Sequence, residues 1–211
     1  MKYQILKNML IEINKDNIDD RLIKDIVKEL RNGEIIIYPT DSVYAIGCDM
    51  KNKAALEKLA KFRGKKLKET QFSIICKDIS QISEYVKLMP QSTFKLMKRT
   101  LPGPFTYILR ATSDVAKAFQ SKREEVGVRI PDNNIVIAIV EALGNPLATT
   151  SLYNQEDEYM KYFIDPYTIY EQFEERVKYI VDGGQGKIEA STVIDCTGDE
   201  PEMVREGAGK I

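Results

Sequence analysis

Apolar and polar positions along this chain switch between two rhythms, and each rhythm marks a kind of element. Met9 to Ile13 has the character of a short first strand. From Asn17 to Leu30, the residues Leu22, Ile23, Ile26, Val27 and Leu30 recur at helical spacing behind Asp and Asn residues suited to capping. Asn32-Gly33 closes that helix in a form suited to a left-handed cap. Glu34 to Tyr38 is β-branched and buried in character, and a YPTDS loop leads to a second apolar stretch at Val43 to Gly47. Lys53 to Phe62 reads as a helix with Leu56 and Leu59 on its apolar side, and it runs into the basic stretch RGKKLKETQ. Phe72 to Cys76 is a predicted strand, and Ile79 to Val86 and Ser92 to Lys98 are predicted helices. Pro102-Gly103-Pro104 breaks the chain before the strand Phe105 to Arg110. Val126 to Ile130 is a strand stopped by Pro131, and Ile135 to Leu143 a helix capped by Asp132, Asn133 or Asn134. Further strands are predicted at Pro146 to Thr150, Tyr179 to Val181, Thr192 to Cys196 and Met203 to Arg205.

Strands and helices interleave throughout, which predicts an α/β fold, α+β-like in detail, with a twisted mixed β-sheet flanked by helices on both faces. No internal repeat and no Pro- or Ser-rich linker divides residues 1–211, so they are read as a single domain. Residues 154–176 are rich in Tyr, Glu and Asp and weakly patterned; they are read as a peripheral acidic insertion or lid.

Composition then removes whole classes of chemistry. The 31 Lys and Arg against 32 Asp and Glu leave a net charge of −1, which argues against nucleic-acid binding through bulk positive charge but permits a local basic groove. Histidine is absent, which excludes Ser-His-Asp and Cys-His nucleophiles, His-ligated zinc and a His proton shuttle. Cys48, Cys76 and Cys196 are far apart and odd in number, a pattern of reduced thiols serving as small core hydrophobes. No apolar run approaches the roughly 18 residues of a spanning helix, and the opening MKYQILKNMLIEINKDN lacks a signal-peptide pattern. A cytoplasmic protein without membrane contact is expected. Its chemistry rests on Lys, Arg, Asp, Glu, Ser, Thr, Tyr or a ligand-borne metal.

Polar loops at strand ends are where open α/β sheets usually place ligands. Thr40, Asp41 and Ser42 follow a buried strand directly. Lys61, Arg63, Lys65, Lys66 and Lys68 gather five cations within eight residues, either a solvated surface loop or an anion site. Arg129 falls among apolar neighbours in a strand, so its guanidinium needs a carboxylate, phosphate or other partner, as a ligand clamp or a structural salt bridge. The strand LATTS, residues 147–151, runs into hydroxyls. GGQGKIEAST, residues 183–192, is not a phosphate loop, because Ile188 stands where the hydroxyl after Gly-Lys is required.

YPTDSVYAIGCD, KFR, LPGPFTYIL, VGVRIP, PLATTS, DGG, STVID and REGAG stand together in the order and rough spacing of one family's motifs. Over about residues 9–209 the chain resembles the YrdC-like domain, that of the L-threonylcarbamoyladenylate synthases. YPTDS, the stretch Phe72 to Cys76, and TTSL in place of the synthases' STSAN make it most similar to the YciO branch. The resemblance implies a concave cationic groove and the condensation of L-threonine, bicarbonate and ATP, with Mg²⁺, to threonylcarbamoyl-AMP and pyrophosphate, the start of tRNA threonylcarbamoyl modification.

Carried over by the same resemblance, Lys61 and Arg63 match the KxR pair that contacts nucleotide phosphates and serves catalysis. Ser151 and Arg205 match nucleotide-binding positions, while Thr40, Ser42, Arg129, Thr149 and Ser191 match positions on the threonine side, with Arg129 expected to fork the carboxylate. No protein residue is assigned to a metal. Two departures stand out: Tyr153 replaces the asparagine of the synthases' SxN pattern, and the stretch after Arg63 is longer and more basic than theirs. The resemblance also implies an alternative, a translation-related module that binds double-stranded RNA or tRNA through a decayed or altered nucleotide site.

Overall fold

In the computed structural model, which describes residues 9–120, 124–153 and 162–211, the helices start and stop where local chemistry dictates. Helix α1 (Asp20–Arg31) begins at Asp19, whose carboxylate accepts from the Arg21 N–H at 2.9 Å, and ends before Gly33 at φ +89°. Asn52 caps α2 (Lys53–Phe62) in the same way. The following helices are α3 (Ile79–Tyr85), α4 (Gln91–Thr100), α5 (Ser113–Ala118), α6 (Asn134–Leu143) and α7 (Pro166–Phe173). Asn133, one of the three caps expected for α6, accepts from both Ile135 and Val136 N–H groups.

The strands are β1 (Leu10–Glu12), β2 (Ile35–Tyr38), β3 (Ala45–Asp49), β4 (Ser73–Ile75) and β5 (Phe105–Arg110), then β6 (Glu125–Arg129), β7 (Leu147–Ser151), β8 (Tyr179–Asp182), β9 (Thr192–Asp195) and β10 (Glu202–Arg205). They form one mixed sheet in the order β1-β8-β2-β3-β7-β4-β6-β5-β9-β10. Chain neighbours β2 and β3 pair antiparallel, whereas β1 and β2 flank β8 and pair with it parallel. The pairings β4·β6 and β5·β9 are also parallel. Strand β3 starts at Ala45 rather than Val43, because Thr40 Oγ1 donates to the Val43 carbonyl at 2.7 Å and holds that stretch in a turn.

Alternation along the strands sorts side chains onto two unequal faces. Ile37, Ile46, Ile74 and Val128 join one core with residues of α2, α3, α4, α5 and α7. Among the described residues, Ile36, Tyr38, Ala45 and Val181 join a second with α1 and α6 only. Ile26 and Leu30 of α1 and Ile139 and Val140 of α6 are wholly buried there, each contributing about 1.5–3 kcal/mol. Helices therefore cover both faces as expected, but unevenly. On the second face, the apolar packing stops at Ile75 and Leu147, and the next positions outward are Ser73, Gly127, Thr106 and Thr149. That half-face lacks the apolar residues a third helix would need.

Two expectations are corrected. Helix α5 is absent from the periodicity because it is six residues long and buries only Val115. The 154–176 segment is not peripheral where it is described; residues 154–161 lie outside the described residues. Phe163, Ile169 and Phe173 are core residues, and Phe163 and Phe173 meet edge to face at 5.3 Å. Asp165 caps α7 with Pro166 at its start, and the acidic residues occupy the remaining faces. Their abundance masked an apolar i, i+4 pair.

Chemical denaturation tests this placement. Phe173→Ala is expected to cost about 3–5 kcal/mol, and Tyr167→Ala, on the same helix but 67% exposed, less than about 0.5 kcal/mol. Equal small losses would return the helix to the periphery.

Candidate functional site

The half of the second face that no described helix covers is a cleft of about 400 Å³, lined by residues of β4, β5, β6, β7 and β9 and by Arg205 of β10. Its floor combines the small and hydroxylic residues Ser73, Thr106, Gly127, Thr149 and Ser191 with the aliphatic Ile108 and Val193. Gly127 is required there: a Cβ at this position would sit 2.5 Å from Ser73 Oγ and 3.1 Å from Thr106 Cγ2. Arg129, Thr149, Ser151, Ser191 and Arg205, predicted as site residues, all line this cleft.

Arg129 ends β6 and is 5% exposed. Its Nη2 donates to Asp41 Oδ1 at 2.9 Å and to Ser42 Oγ at 3.0 Å, while its Nε is buried without a hydrogen-bond partner. Asp41 Oδ2 in turn accepts the Asp132 N–H at 2.9 Å. Thr40 Oγ1 accepts the Ser42 N–H at 3.0 Å, so the loop after β2 is both internally tied and bolted to the end of β6. The strand-end Arg thus has a carboxylate partner, Asp41, a residue of the loop singled out in the sequence but assigned no role. Burial pulls the Arg129 pKa below its ordinary value, opposed chiefly by the Asp41 charge. A guanidinium starts so far above neutrality that it stays charged. Arg205 is near enough for its charge to push in the same direction as burial.

Thr149 is held from the side of the covered half. Tyr38 Oη donates to Thr149 Oγ1 at 2.7 Å, and burial pushes the phenol pKa far up, so it remains a neutral donor. Tyr38 lies on β2 and Thr149 on β7, with β3 between them. The phenol crosses β3 at Gly47, where a Cβ would stand 2.6 Å from Tyr38 Oη. At the other end of the cleft, Thr106 Oγ1 and Ser191 Oγ share a hydrogen bond of 2.8 Å, and Arg205 Nη2 donates to the Ser191 carbonyl at 2.7 Å.

Thr40 and Ser42 reach the site through Arg129. Arg63 follows α2 and places Nη1 3.5 Å from the Ser151 carbonyl, at the outer limit of a hydrogen bond. Lys61 is exposed on the last turn of α2, outside the cleft lining. Between them, Phe62 is gripped by Arg176, whose guanidinium lies 4.2 Å from the ring centroid and donates to the Phe62 carbonyl at 3.1 Å. That grip fixes the stretch from which Lys61 and Arg63 project. Lys65, Lys66 and Lys68 are exposed.

The expected cationic character is not a property of the lining itself, where Arg129 and Arg205 are matched by Glu125 and Asp195. Ser73 and Thr106 also line the cleft and were not predicted; their one signal was a hydroxyl at alternate positions of otherwise apolar strands. Among the described residues, no group of three or more His, Cys, Asp and Glu side chains is placed to hold a metal. Cys48, Cys76 and Cys196 are buried free thiols, as read from the sequence, and burial pushes their pKa values up. No helix among the described residues is long and apolar enough to cross a membrane.

Comparison with known proteins agrees with this architecture. A family model named for Sua5, YciO and YrdC, with the description "Telomere recombination", matches residues 28–207. YciO of Escherichia coli K12, described as uncharacterised, is 39% identical over 201 residues, covering 94% of this chain and 95% of that protein. The E. coli YciO crystal structure superposes with a TM-score of 0.87 at 37% identity, over 96% of this chain and 97% of that one. Threonylcarbamoyl-AMP synthase of Bacillus subtilis is 30% identical over 186 residues, covering 84% of this chain and 51% of that protein. The structure of P. abyssi Sua5 complexed with L-threonine matches with a TM-score of 0.84 at 25% identity, over 94% of this chain and 57% of that one. With the motifs in order, a shared fold and a match over most of its length, the chain belongs to the Sua5/YciO/YrdC family.

Proposed function

We propose that the cleft binds L-threonine beside ATP and makes threonylcarbamoyl-AMP, in the manner of the family's synthases. The observation that carries this reading is Arg129: a buried guanidinium, held by Asp41 and Ser42, with an unpartnered Nε at a hydroxyl-lined cleft. A buried N–H without a partner is costly, and a ligand carboxylate removes that cost. With Nη2 engaged on Asp41, the grip on threonine uses Nε and the Nη2 proton now resting on Ser42 Oγ.

In this reading bicarbonate gives up hydroxide to yield carbon dioxide, the threonine nitrogen adds to that carbon to form the carbamate N–C bond, and the amine proton leaves with the hydroxide as water. The carbamate oxygen then attacks the α-phosphorus, and the bond to the pyrophosphate leaving group breaks. Thr149 and Ser191 present fixed hydroxyls to the amino acid. Arg63, Arg205 and the exposed Lys61 bind the phosphates and stabilise charge developing on the leaving group. Mg²⁺, carried on the nucleotide phosphates, completes the neutralisation.

Incubation of the protein with ATP, L-threonine, bicarbonate and Mg²⁺ is expected to yield threonylcarbamoyl-AMP and pyrophosphate in a threonine-dependent manner, with at least about 10-fold loss in Lys61→Ala. A folded protein that gives no product refutes the synthase reading. Arg129→Lys keeps the charge but loses the fork, so threonine affinity should fall about 10-fold or more while ATP affinity changes less than about twofold. A Lys variant that melts earlier yet binds threonine normally would make Arg129 purely structural.

One observation favours a second reading: Lys61, Lys65, Lys66 and Lys68 are all exposed along one stretch beside the cleft rim. Double-stranded RNA or tRNA would be held there through phosphates and 2′-hydroxyls. Replacing Lys65, Lys66 and Lys68 with Gln is then expected to flatten the log-affinity against log-salt slope for a duplex by about 2 to 3. An unchanged slope excludes the stretch as an RNA contact.

A further inference from the structure

Tyr153 stands where the synthases carry a small amide, and its placement gives it a use. The β3–β7 ladder extends past Ser151, because the Leu152 N–H donates to the Tyr44 carbonyl at 2.9 Å. Leu152 packs in the same core as Ala148. Alternation then turns Tyr153 to the face that carries Thr149 and Ser151, the face of the cleft. The ring is not loose: Tyr153 and Tyr162 form an antiparallel bridge, and their rings meet edge to face at 5.7 Å and 86°. Even so, Tyr153 remains 39% exposed, two residues beyond Ser151 of the cleft lining. Arg63, on the Ser151 carbonyl, lies two residues away along the same strand edge.

A guanidinium that can take a phosphate, followed along one edge by a fixed and partly exposed aromatic ring, suits a nucleotide laid along the rim. We propose that Tyr153, braced by Tyr162, is the stacking platform for the nucleobase of the bound nucleotide, so that this chain holds the base by its π-face where an asparagine would offer an amide. The proposal rests on the nucleotide-binding reading above and adds the base-recognition element to it. Stacking on an aromatic side chain is sensitive to loss of the ring and indifferent to loss of the hydroxyl.

The test is calorimetric titration of the full chain with Mg²⁺-ATP and, separately, with Mg²⁺-tripolyphosphate, which carries the charge without the base. Tyr153→Ala is expected to weaken ATP about 10-fold or more and leave tripolyphosphate within about twofold, while Tyr153→Phe binds both like the unaltered protein. A general structural defect would lower the melting temperature and weaken both ligands together, which overturns the proposal. ATP binding unchanged in Tyr153→Ala overturns the platform alone and leaves the nucleotide site standing. Absence of ATP binding to the unaltered protein overturns the nucleotide reading and the platform with it.

Discussion

The ion pair between Arg129 and Asp41 joins parts of the chain 88 residues apart, and the site is assembled around it. Asp41 holds the guanidinium with one oxygen and the Asp132 N–H, just before α6, with the other. A single carboxylate therefore fastens the loop after β2, the end of β6 and the approach to α6. Such a pair is expensive to desolvate, and an apolar substitute of equal volume is often as stable. What an apolar substitute cannot supply is a fixed positive charge in the cleft lining with a buried N–H left unpartnered. The pair is better understood as the holder of that geometry than as a source of stability.

The cleft exists because one face of a ten-stranded sheet is only half covered. Over β1, β8 and β2 the second face is apolar and draws α1 and α6 onto it. Farther along, Ser73, Gly127, Thr106 and Thr149 replace the aliphatic residues, so a covering helix would gain little from packing there. The same substitution gives the cleft its hydroxyls, and a glycine that lets neighbouring strands' side chains converge. Gly47 makes the comparable concession on β3, letting Tyr38 reach across to Thr149 and tie the covered half to the open one.

In sequence, the chain departs from the pattern of the synthases it resembles after Ser151 and after Arg63. Tyr153 follows Ser151 by two residues, and the exposed Lys65, Lys66 and Lys68 follow Arg63. Arg129, Thr149 and Ser191 all lie in the cleft lining.

Local elements were plain in the sequence because their causes are local. Helix Lys53–Phe62 and strand Phe105–Arg110 fall where periodicity put them, since capping residues, proline breaks and side-chain alternation all act within a few positions. Motif order was enough to indicate the family and five of the residues that line the cleft, Arg129, Thr149, Ser151, Ser191 and Arg205. Helix α5 and the apolar anchor of α7 were missed, one too short to show a period and the other hidden among acidic neighbours. The pairing of Arg129 with Asp41, the passage of Tyr38 over Gly47, and the grip of Arg176 on Phe62 belong to the tertiary structure alone. Each joins residues distant in the chain through strand order and helix packing. Sequence determined which groups this protein has available, and the crossing of the strands decided which of them meet.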